Sequence, residues 1–243
     1  CSGIEEVEIH EIDKPVITET EVLIKTKNVG VCGSDLHLYR GTHPFRHAPA
    51  ILGHEIAGEV VEVGSKVTKI KVGDRVTVEP QVGCGTCEMC KIGAVSLCKN
   101  KKVPGTPNWI GTFSEYFNAE EDILYKLDDG ISYERGTLTE PLAVAVQVLH
   151  RAETKSGSLV ILGGGTIGQL LLAVAKKRGF GPIIVTDTVE FNREFALAHG
   201  ADYAFDPIHD NVEEEVKKIT GAGADLVVVA AGANNILDQA CNC

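Results

Sequence analysis

The sequence predicts an α/β protein with a β-rich first part and a second part built on a doubly wound parallel sheet. In the first part, residues 21–29 (EVLIKTKNV) and 55–63 (EIAGEVVEV) show the apolar alternation and β-branched content of strands. In the second part, short apolar runs alternate with helical patterns, which indicates parallel strands joined by crossover helices. We therefore expect two domains, over residues 1–145 and 146–243.

Turn residues and periodicity place the other elements. A Gly-Asp turn at 73–74 separates the apolar runs 67–72 and 76–78, which are both predicted as strands. A helix is predicted over 140–151, with Pro141 near its beginning, where proline is tolerated. The strands predicted after it cover 159–162, 183–186, 203–205 and 226–230. The helices between these strands cover 167–178, 190–199 and 211–219.

Composition narrows the function classes. The 243 residues include 34 acidic and 23 basic side chains, and the net charge of −11 disfavours a phosphate backbone, so no nucleic-acid partner is expected. No apolar run approaches the ~18 residues that a membrane-spanning helix requires, so no membrane partner is expected. The given sequence opens without a secretory signal, and we expect a reducing, cytoplasmic location in which cysteines serve metals.

Four cysteines predict a metal site. Within residues 84–98 they follow the order C-x2-C-x2-C-x7-C, and this spacing lets four thiolates surround one Zn²⁺ ion. A disulfide cluster is the alternative, but adjacent C-x2-C pairs fit one metal better than two bridges. A closed four-ligand site has no open position for a substrate, so its role is structural. The expected ligands are Cys84, Cys87, Cys90 and Cys98.

A nucleotide site is predicted where the first parallel strand ends. The turn at 163–168 (GGGTIG) satisfies G-x-G-x-x-G and precedes a helix whose N-terminus can hold a pyrophosphate. Asp187, at the end of the next strand, is placed to bind a ribose 2′-hydroxyl, which favours NAD over NADP. The alternative is that Asp187 only caps the following helix. The expected cofactor-binding residues are Gly163, Gly165, Thr166, Ile167, Gly168, Asp187 and Arg193.

Two further segments offer ligands for a catalytic zinc. Cys32 and His54 supply a thiolate and an imidazole, and an open zinc site needs about three protein ligands from cysteine, histidine and carboxylate. Taken singly, a packed cysteine and a satisfied polar histidine are the alternatives, and the residues alone leave them open. His43 and His47, which lie among prolines, are expected on an exposed loop rim.

An ordered series of motifs resembles the zinc-dependent medium-chain alcohol and polyol dehydrogenase family, of the sorbitol, threonine and butanediol dehydrogenase type. Besides the four-cysteine segment and the glycine turn, the motifs are V-C-G-S-D-x-H (31–37), G-H-E-x-x-G (53–58), G-D-R-V (73–76), G-T-F-S-E-Y (111–116) and T-E-P-L-A (139–143). The resemblance implies a GroES-like catalytic domain, a Rossmann NAD-binding domain and an active site in the cleft between them. Family chains continue further, so the C-terminal part of the Rossmann domain is expected to be missing here.

The resemblance also implies roles for individual residues. Cys32, His54 and Glu140 are similar to the family's catalytic-zinc ligands, and Glu55 is similar to a carboxylate that can bind this metal transiently. Whether Glu55 or Glu140 binds the resting zinc stays open. The alternative for Glu140 is an acidic residue that only complements the start of a helix.

Ser34 resembles the hydroxyl that contacts the substrate oxygen, and His37 the histidine that passes the proton towards solvent. A local backbone hydrogen bond is the alternative for Ser34, and a surface position is the alternative for His37. The implied activity is NAD-dependent oxidation of a secondary alcohol (a polyol, diol or amino alcohol such as threonine) to a ketone, with two zinc ions per subunit. The competing hypothesis is a non-catalytic zinc- and nucleotide-binding relative or fragment. The full-length protein is expected to be a homo-oligomer, a dimer or a tetramer.

Overall fold

The computed structural model describes residues 1–243 and divides the chain into two compact units, Cys1–Glu140 and Pro141–Cys243. The boundary expected from the sequence, after residue 145, lies inside the helix Thr139–Arg151. The observed division falls in the first turn of this helix, where a proline is tolerated because its missing N–H would have no partner within the helix.

The first unit is built on five antiparallel strands in the order β4-β1-β2-β3-β5. These strands are β1 (Glu21–Gly30), β2 (Glu55–Val63), β3 (Arg75–Val78), β4 (Tyr116–Glu120) and β5 (Leu124–Lys126). Its helices are short: α1 (Gly33–Tyr39), α2 (Glu88–Lys91) and α3 (Tyr133–Thr137). Two 3₁₀ turns cover Val95–Leu97 and Glu121–Ile123. The β-rich character expected for the first part is confirmed.

The register between β1 and β2 brings two distant motifs together. Gly30, the last residue of β1, pairs with Glu55, the first residue of β2. Because Cys32 follows Gly30 by two residues and His54 precedes Glu55 by one, the pairing places both side chains at the same end of the sheet. The antiparallel ladder therefore positions the candidate metal ligands before any side-chain contact is considered.

The core of the first unit is centred on an aromatic pair. The rings of Trp109 and Phe117 stack with centroids 5.2 Å apart, and both side chains are buried. The indole N–H of Trp109 donates to the carbonyl of Asn118 at 2.8 Å, so its polar atom is satisfied. Apolar residues of β1, β2 and β3 complete this core. Trp109 is thus a core residue of the first unit.

The strand predicted over 67–72 is wrong. These residues form no strand, and three of their N–H groups donate instead to one carboxylate, that of Glu121. Glu121 accepts the N–H groups of Thr68 at 2.8 Å and Ile70 at 3.1 Å, together with that of Lys69. Apolar alternation cannot distinguish a ladder from this arrangement, because the acceptor lies some fifty residues away in the sequence.

The second unit is a parallel sheet of four strands in the order β8-β7-β6-β9. The strands are β6 (Gly157–Leu162), β7 (Phe180–Thr186), β8 (Tyr203–Phe205) and β9 (Leu226–Val229). The helices are α4 (Thr139–Arg151), α5 (Thr166–Arg178), α6 (Glu190–Ala198), α7 (Val212–Thr220) and α8 (Ile236–Asn242). The parallel α/β part is confirmed, although α8 is absent from the sequence expectations.

Both faces of this sheet are covered. Ile161 of β6 packs with residues of α4, α5 and α6, whereas its neighbours Val160 and Leu162 pack with residues of α7. A strand that is buried on both faces has a continuous apolar run instead of an alternating one, which is what β6 shows. No helix in either unit has both the length and the apolar content that crossing a membrane requires.

We expect Phe117→Ala to lower the free energy of unfolding of the first unit by about 3–5 kcal/mol, because it leaves a cavity beside Trp109 in a close-packed core. Thermal and denaturant unfolding followed by tryptophan fluorescence would measure the change. Phe191→Ala is the control, because that ring is 68% exposed. Equal stability of the two variants would contradict the assignment of Phe117 to the core.

Candidate active site

One buried carboxylate connects the two segments that carry the candidate ligands. Asp35, which is 2% exposed, accepts the N–H of Cys32 through Oδ2 at 3.1 Å and the N–H of Gly53 through Oδ1 at 3.1 Å. The first of these bonds caps helix α1, for which Cys32 is the N-cap residue. Nδ1 of His54 lies 3.6 Å from Asp35 Oδ1. Asp35 therefore fixes the backbone beside both ligands and the orientation of the imidazole.

Cys32, His54 and Glu55 form a group of possible metal ligands. The Cys32 Sγ, one ring nitrogen of His54 and one carboxylate oxygen of Glu55 lie within 4.8 Å of one another. Gly30 makes room for this carboxylate, because a Cβ on Gly30 would lie 1.9 Å from Glu55 Oε2. A thiolate, an imidazole and a carboxylate suit Zn²⁺ and leave a fourth position for a substrate oxygen.

The imidazole of His54 is arranged as metal-binding histidines are. Its Nδ1 is buried and has no hydrogen-bond partner within normal distance, and the nearest acceptor is the Asp35 carboxylate at 3.6 Å. Histidines that bind metals usually direct their second ring nitrogen to a carboxylate in this way. The residues present therefore fit a zinc ion held by His54, Cys32 and a carboxylate.

Charges within the group shift the pKa values of its members. Burial lowers the pKa of His54, but the Asp35 carboxylate and the Cys32 thiol outweigh it and raise the pKa to about 10. The neighbouring imidazole of His54 lowers the pKa of Cys32 and so favours the thiolate. Burial, followed by repulsion from Glu140, raises the pKa of Glu55.

Glu140 lies near this group but outside it. It is the second residue of α4 and is partly buried, and burial raises the pKa of its carboxyl. The charge of Glu140 raises the pKa of Glu55. Glu55, however, and not Glu140, is the carboxylate that belongs to the group formed with Cys32 and His54. The role of Glu140 as a ligand stays a prediction.

Ser34 and His37 occupy one face of α1. They lie three residues apart, which brings their side chains together on a helix. The Ser34 Oγ accepts a hydrogen bond from Nη2 of Arg46 at 2.9 Å. His37 is exposed, and its Nδ1 lies 3.0 Å from Thr42 Oγ1. The structure thus gives Ser34 a charged partner that the motif does not contain.

Arg46 and His43 form a buried pair beside Ser34 that sequence reasoning missed. Both residues are 8% exposed. The exposed position expected for His43 is therefore wrong, whereas His47 is exposed as expected. Nδ1 of His43 accepts the N–H of Arg46 at 3.0 Å, and Nε2 lies 3.2 Å from Arg46 Nε. Burial, followed by the charge of Arg46, lowers the pKa of His43. No local pattern distinguishes such a folded-back histidine from a solvated one.

The four cysteines expected to bind a structural zinc lie together. The sulfurs of Cys84, Cys87, Cys90 and Cys98 are within 4.8 Å of one another. The N–H of Cys84 donates to Cys98 Sγ at 3.4 Å, and Thr86 Oγ1 donates to Cys84 Sγ at 3.6 Å. The hydrogen bonds from Thr86 lower the pKa of Cys84 to about 6, which favours the thiolate. Four converging sulfurs with such donors fit a closed zinc site.

The glycine turn lies between β6 and the first turn of α5. A Cβ on Gly168 would lie 1.9 Å from the carbonyl oxygen of Gly163, so only glycine permits this closure. A Cβ on Gly165 would meet no atom within 4 Å, and the backbone there is open to a ligand. Thr166 and Ile167 are the first residues of α5, whose N-terminal N–H groups can bind a phosphate.

Asp187 ends on the same edge of the parallel sheet as the glycine turn. Its Oδ2 accepts the N–H of Gly164 at 2.8 Å and the side-chain amide of Asn192 at 3.1 Å. Its Oδ1 accepts the N–H of Val189 at 2.8 Å, directly before α6. Arg193 Nη1 donates to the Asp187 carbonyl oxygen at 2.7 Å. Asp187 therefore both supports the start of α6 and adjoins the turn.

The chain matches two family models. The alcohol dehydrogenase GroES-like domain matches residues 18–129, and the zinc-binding dehydrogenase model matches residues 166–243. The chain is 40% identical to a sorbitol dehydrogenase of Bacillus subtilis (strain 168), with 93% of this chain and 66% of that protein covered. It is also 40% identical to an L-threonine 3-dehydrogenase of Pyrococcus furiosus, with 96% and 68% covered. The chain spans about two thirds of the length of these curated relatives.

A solved structure shows the same architecture. It is a zinc-binding dehydrogenase from Sinorhizobium meliloti 1021 bound to NADP, which superposes with a TM-score of 0.92 at 31% identity. The superposition covers 99% of this chain and 71% of that one.

We expect Asp35→Asn to weaken zinc binding at the Cys32–His54–Glu55 group by about 10–100-fold, because the amide cannot accept both backbone N–H groups and also face the imidazole. Native mass spectrometry after dialysis against graded chelator would count the zinc ions retained. The control Asp122→Asn removes a carboxylate that is 82% exposed. Identical zinc retention in the two variants would contradict the role given to Asp35.

We expect Cys98→Ser to remove the structural zinc and to lower the Tm by at least about 5 °C, because a neutral hydroxyl replaces the buried thiolate of the four-sulfur site. Zinc stoichiometry and thermal unfolding would be measured together. The matched control is Cys241→Ser, which changes an exposed cysteine outside both groups. A variant that keeps its full zinc content would refute the assignment.

Proposed function

Because the chain belongs to the zinc-dependent medium-chain alcohol dehydrogenase family, we propose that the protein oxidises a secondary alcohol to a ketone with NAD as the hydride acceptor. The observation that carries this proposal is the convergence of Cys32, His54 and Glu55 around one point, backed by Asp35. A folded scaffold does not need a thiol, an imidazole and two buried carboxylates at one point.

The substrate class proposed is a polyol, a diol or an amino alcohol. Two relatives are named for sorbitol and for L-threonine, and both compounds carry a secondary hydroxyl beside a second polar group. Glu55 in the metal group and Glu140 beside it support recognition of a polar substrate, since both carboxylates can accept hydrogen bonds.

Cys32, His54 and one or both of Glu55 and Glu140 would hold the catalytic zinc. Zinc bound there supplies a Lewis acid that lowers the pKa of an alcohol oxygen. Asp35 keeps the imidazole of His54 oriented through the 3.6 Å contact with Nδ1. The other cysteine group would hold the second, structural zinc.

Ser34 is the proposed first acceptor of the alcohol proton. A hydroxyl oxygen has two lone pairs, and Arg46 Nη2 occupies one of them, which leaves the other for the substrate hydroxyl. The Ser34 hydroxyl can then pass its own proton on. His37, on the same helix face and exposed, is the side chain placed to deliver that proton to solvent.

The glycine turn and Asp187 are the proposed NAD site of the second unit. The open backbone at Gly165 and the start of α5 would receive the pyrophosphate, and the Asp187 carboxylate would accept from the ribose 2′-hydroxyl. The homo-oligomer and the cytoplasmic location stay predictions, which light scattering of the full-length protein and cell fractionation would test.

We expect Cys32→Ala in the full-length protein to lower kcat/KM by about 10³-fold or more, because loss of a ligand removes the metal that stabilises the developing alkoxide. NADH formation with sorbitol, L-threonine and 2,3-butanediol would be followed by absorbance. The control Cys241→Ala alters an exposed thiol and should retain wild-type rates. Failure of the wild-type protein to reduce NAD with any secondary alcohol, despite two bound zinc ions, would overturn the proposed function in favour of a binding module.

A further inference from the structure

Arg193, a cation beside the proposed ribose site, already has partners. Arg193 Nη1 donates to the Asp187 carbonyl oxygen at 2.7 Å and lies 3.3 Å from Asp206 Oδ2. The Arg193 side chain is 20% exposed and that of Asp206 is 15% exposed, so the ion pair is largely shielded from solvent. In dinucleotide-binding folds, an arginine near the acidic residue is the group that accommodates a 2′-phosphate. The ion pair between Arg193 and Asp206 therefore affects whether the site prefers NAD or NADP.

The topology of the sheet places Asp206 at this site. β7 and β8 pair in parallel, with Thr186 opposite Phe205, and the N–H of Asp187 donates to the Phe205 carbonyl at 3.2 Å. Asp187 and Asp206 consequently leave adjacent strands at the same edge. This is the carboxyl edge of the sheet, where nucleotides bind in such folds.

A closed turn holds the Asp206 carboxylate in place. Oδ1 accepts the N–H of Ile208 at 2.9 Å, and Oδ2 lies 3.2 Å from His209 Nδ1. The Asp206 N–H donates in turn to Asp210 Oδ2 at 2.8 Å. The N–H of Ile208 and the His209 ring lower the pKa of Asp206, so the carboxylate is ionised at neutral pH. Asp206 thus presents a fixed negative charge to Arg193.

The balance of charge around Asp187 then disfavours an additional anion. The Arg193 guanidinium pairs with the Asp206 carboxylate. The Asp187 carboxylate has only neutral donors, which are the N–H groups of Gly164 and Val189 and the side-chain amide of Asn192. A 2′-phosphate would meet two negative groups and a cation whose charge is already compensated. A ribose 2′-hydroxyl needs only an acceptor, which Asp187 supplies.

We propose that Asp206 is a specificity-determining residue that withholds Arg193 from a 2′-phosphate and thereby sets the preference for NAD over NADP. This inference rests on the proposed function, because it assumes that the second unit binds a nicotinamide dinucleotide. Membership of the family does not decide the point, since one solved relative is bound to NADP. Asp206 acts through Arg193 and needs no contact with the nucleotide.

The test is nucleotide binding to the full-length Asp206→Asn variant. The amide oxygen can still accept the Ile208 N–H, but the charge that holds Arg193 is lost. We expect the ratio of the NADPH to the NADH dissociation constant, measured by nucleotide fluorescence, to fall by about fivefold or more, which corresponds to the release of one partly exposed ion pair. The fall should shrink as salt is added, because the freed charge is screened.

Two further variants show whether the effect passes through Arg193. Asp210→Asn removes a carboxylate from the same turn that bonds to the Asp206 backbone and not to Arg193, and it should leave the ratio unchanged. Asp206→Asn combined with Arg193→Met should return the ratio towards that of the wild type. If Asp206→Asn does not fold, Asp206→Ser keeps an acceptor for the Ile208 N–H and repeats the measurement.

The outcomes separate this inference from the proposed function. A wild-type protein that binds neither NADH nor NADPH overturns both. A protein that binds NADH, but whose ratio does not change in Asp206→Asn, or changes equally when Arg193 is Met, overturns only the role of Asp206. A fall in the ratio that depends on Arg193 and on salt supports it.

Discussion

The Asp35 carboxylate is the group on which the geometry of the metal site depends. Burying a carboxylate is costly unless its oxygens are satisfied, and those of Asp35 accept one N–H from the start of α1 and one from the segment before β2. The contacts that offset this cost are the same contacts that bring Cys32 and His54 together. The same contacts therefore stabilise the buried charge and place the ligands. Neither the start of α1 nor the segment before β2 can move without leaving an oxygen of Asp35 unpaired.

A second constraint comes from the β1–β2 ladder and from the absence of a side chain at its end. The register sets Gly30 opposite Glu55, and the space that a Cβ on Gly30 would occupy is taken by the Glu55 carboxylate. Any other residue at position 30 would displace this carboxylate from Cys32 and His54. The glycine is thus required by its neighbour across the ladder and not by its own backbone, since its φ lies outside the left-handed region.

Sequence patterns predict a secondary-structure element well where the signal lies within the element. They fail where a contact with a residue far away in the sequence determines the conformation. β2 is predicted to the residue, because the alternation and the β-branched residues that indicate a strand lie within the segment itself. The run 67–72 has a similar pattern, yet the Glu121 carboxylate takes the N–H groups that a neighbouring strand would need. Likewise, spacing and resemblance single out Cys32, His54 and Glu55. They cannot reveal Arg46, whose contact with Ser34 depends on how the loop that carries it folds back.

The distribution of charge argues for a divalent cation at the centre of this group. Asp35, Glu55, Glu140 and the Cys32 thiolate bring negative charge into a region where His54 and Arg46 supply the positive charge. Burial raises the pKa values of both Glu55 and Glu140, and each is raised further by a neighbouring carboxylate. A structural role would be served better by apolar residues of the same volume, since buried charges are retained at a cost in stability. A Zn²⁺ ion would neutralise the excess negative charge and stabilise the ionised carboxylates. The acidic residues that lower the stability of the fold are therefore the residues that suit it to hold a metal.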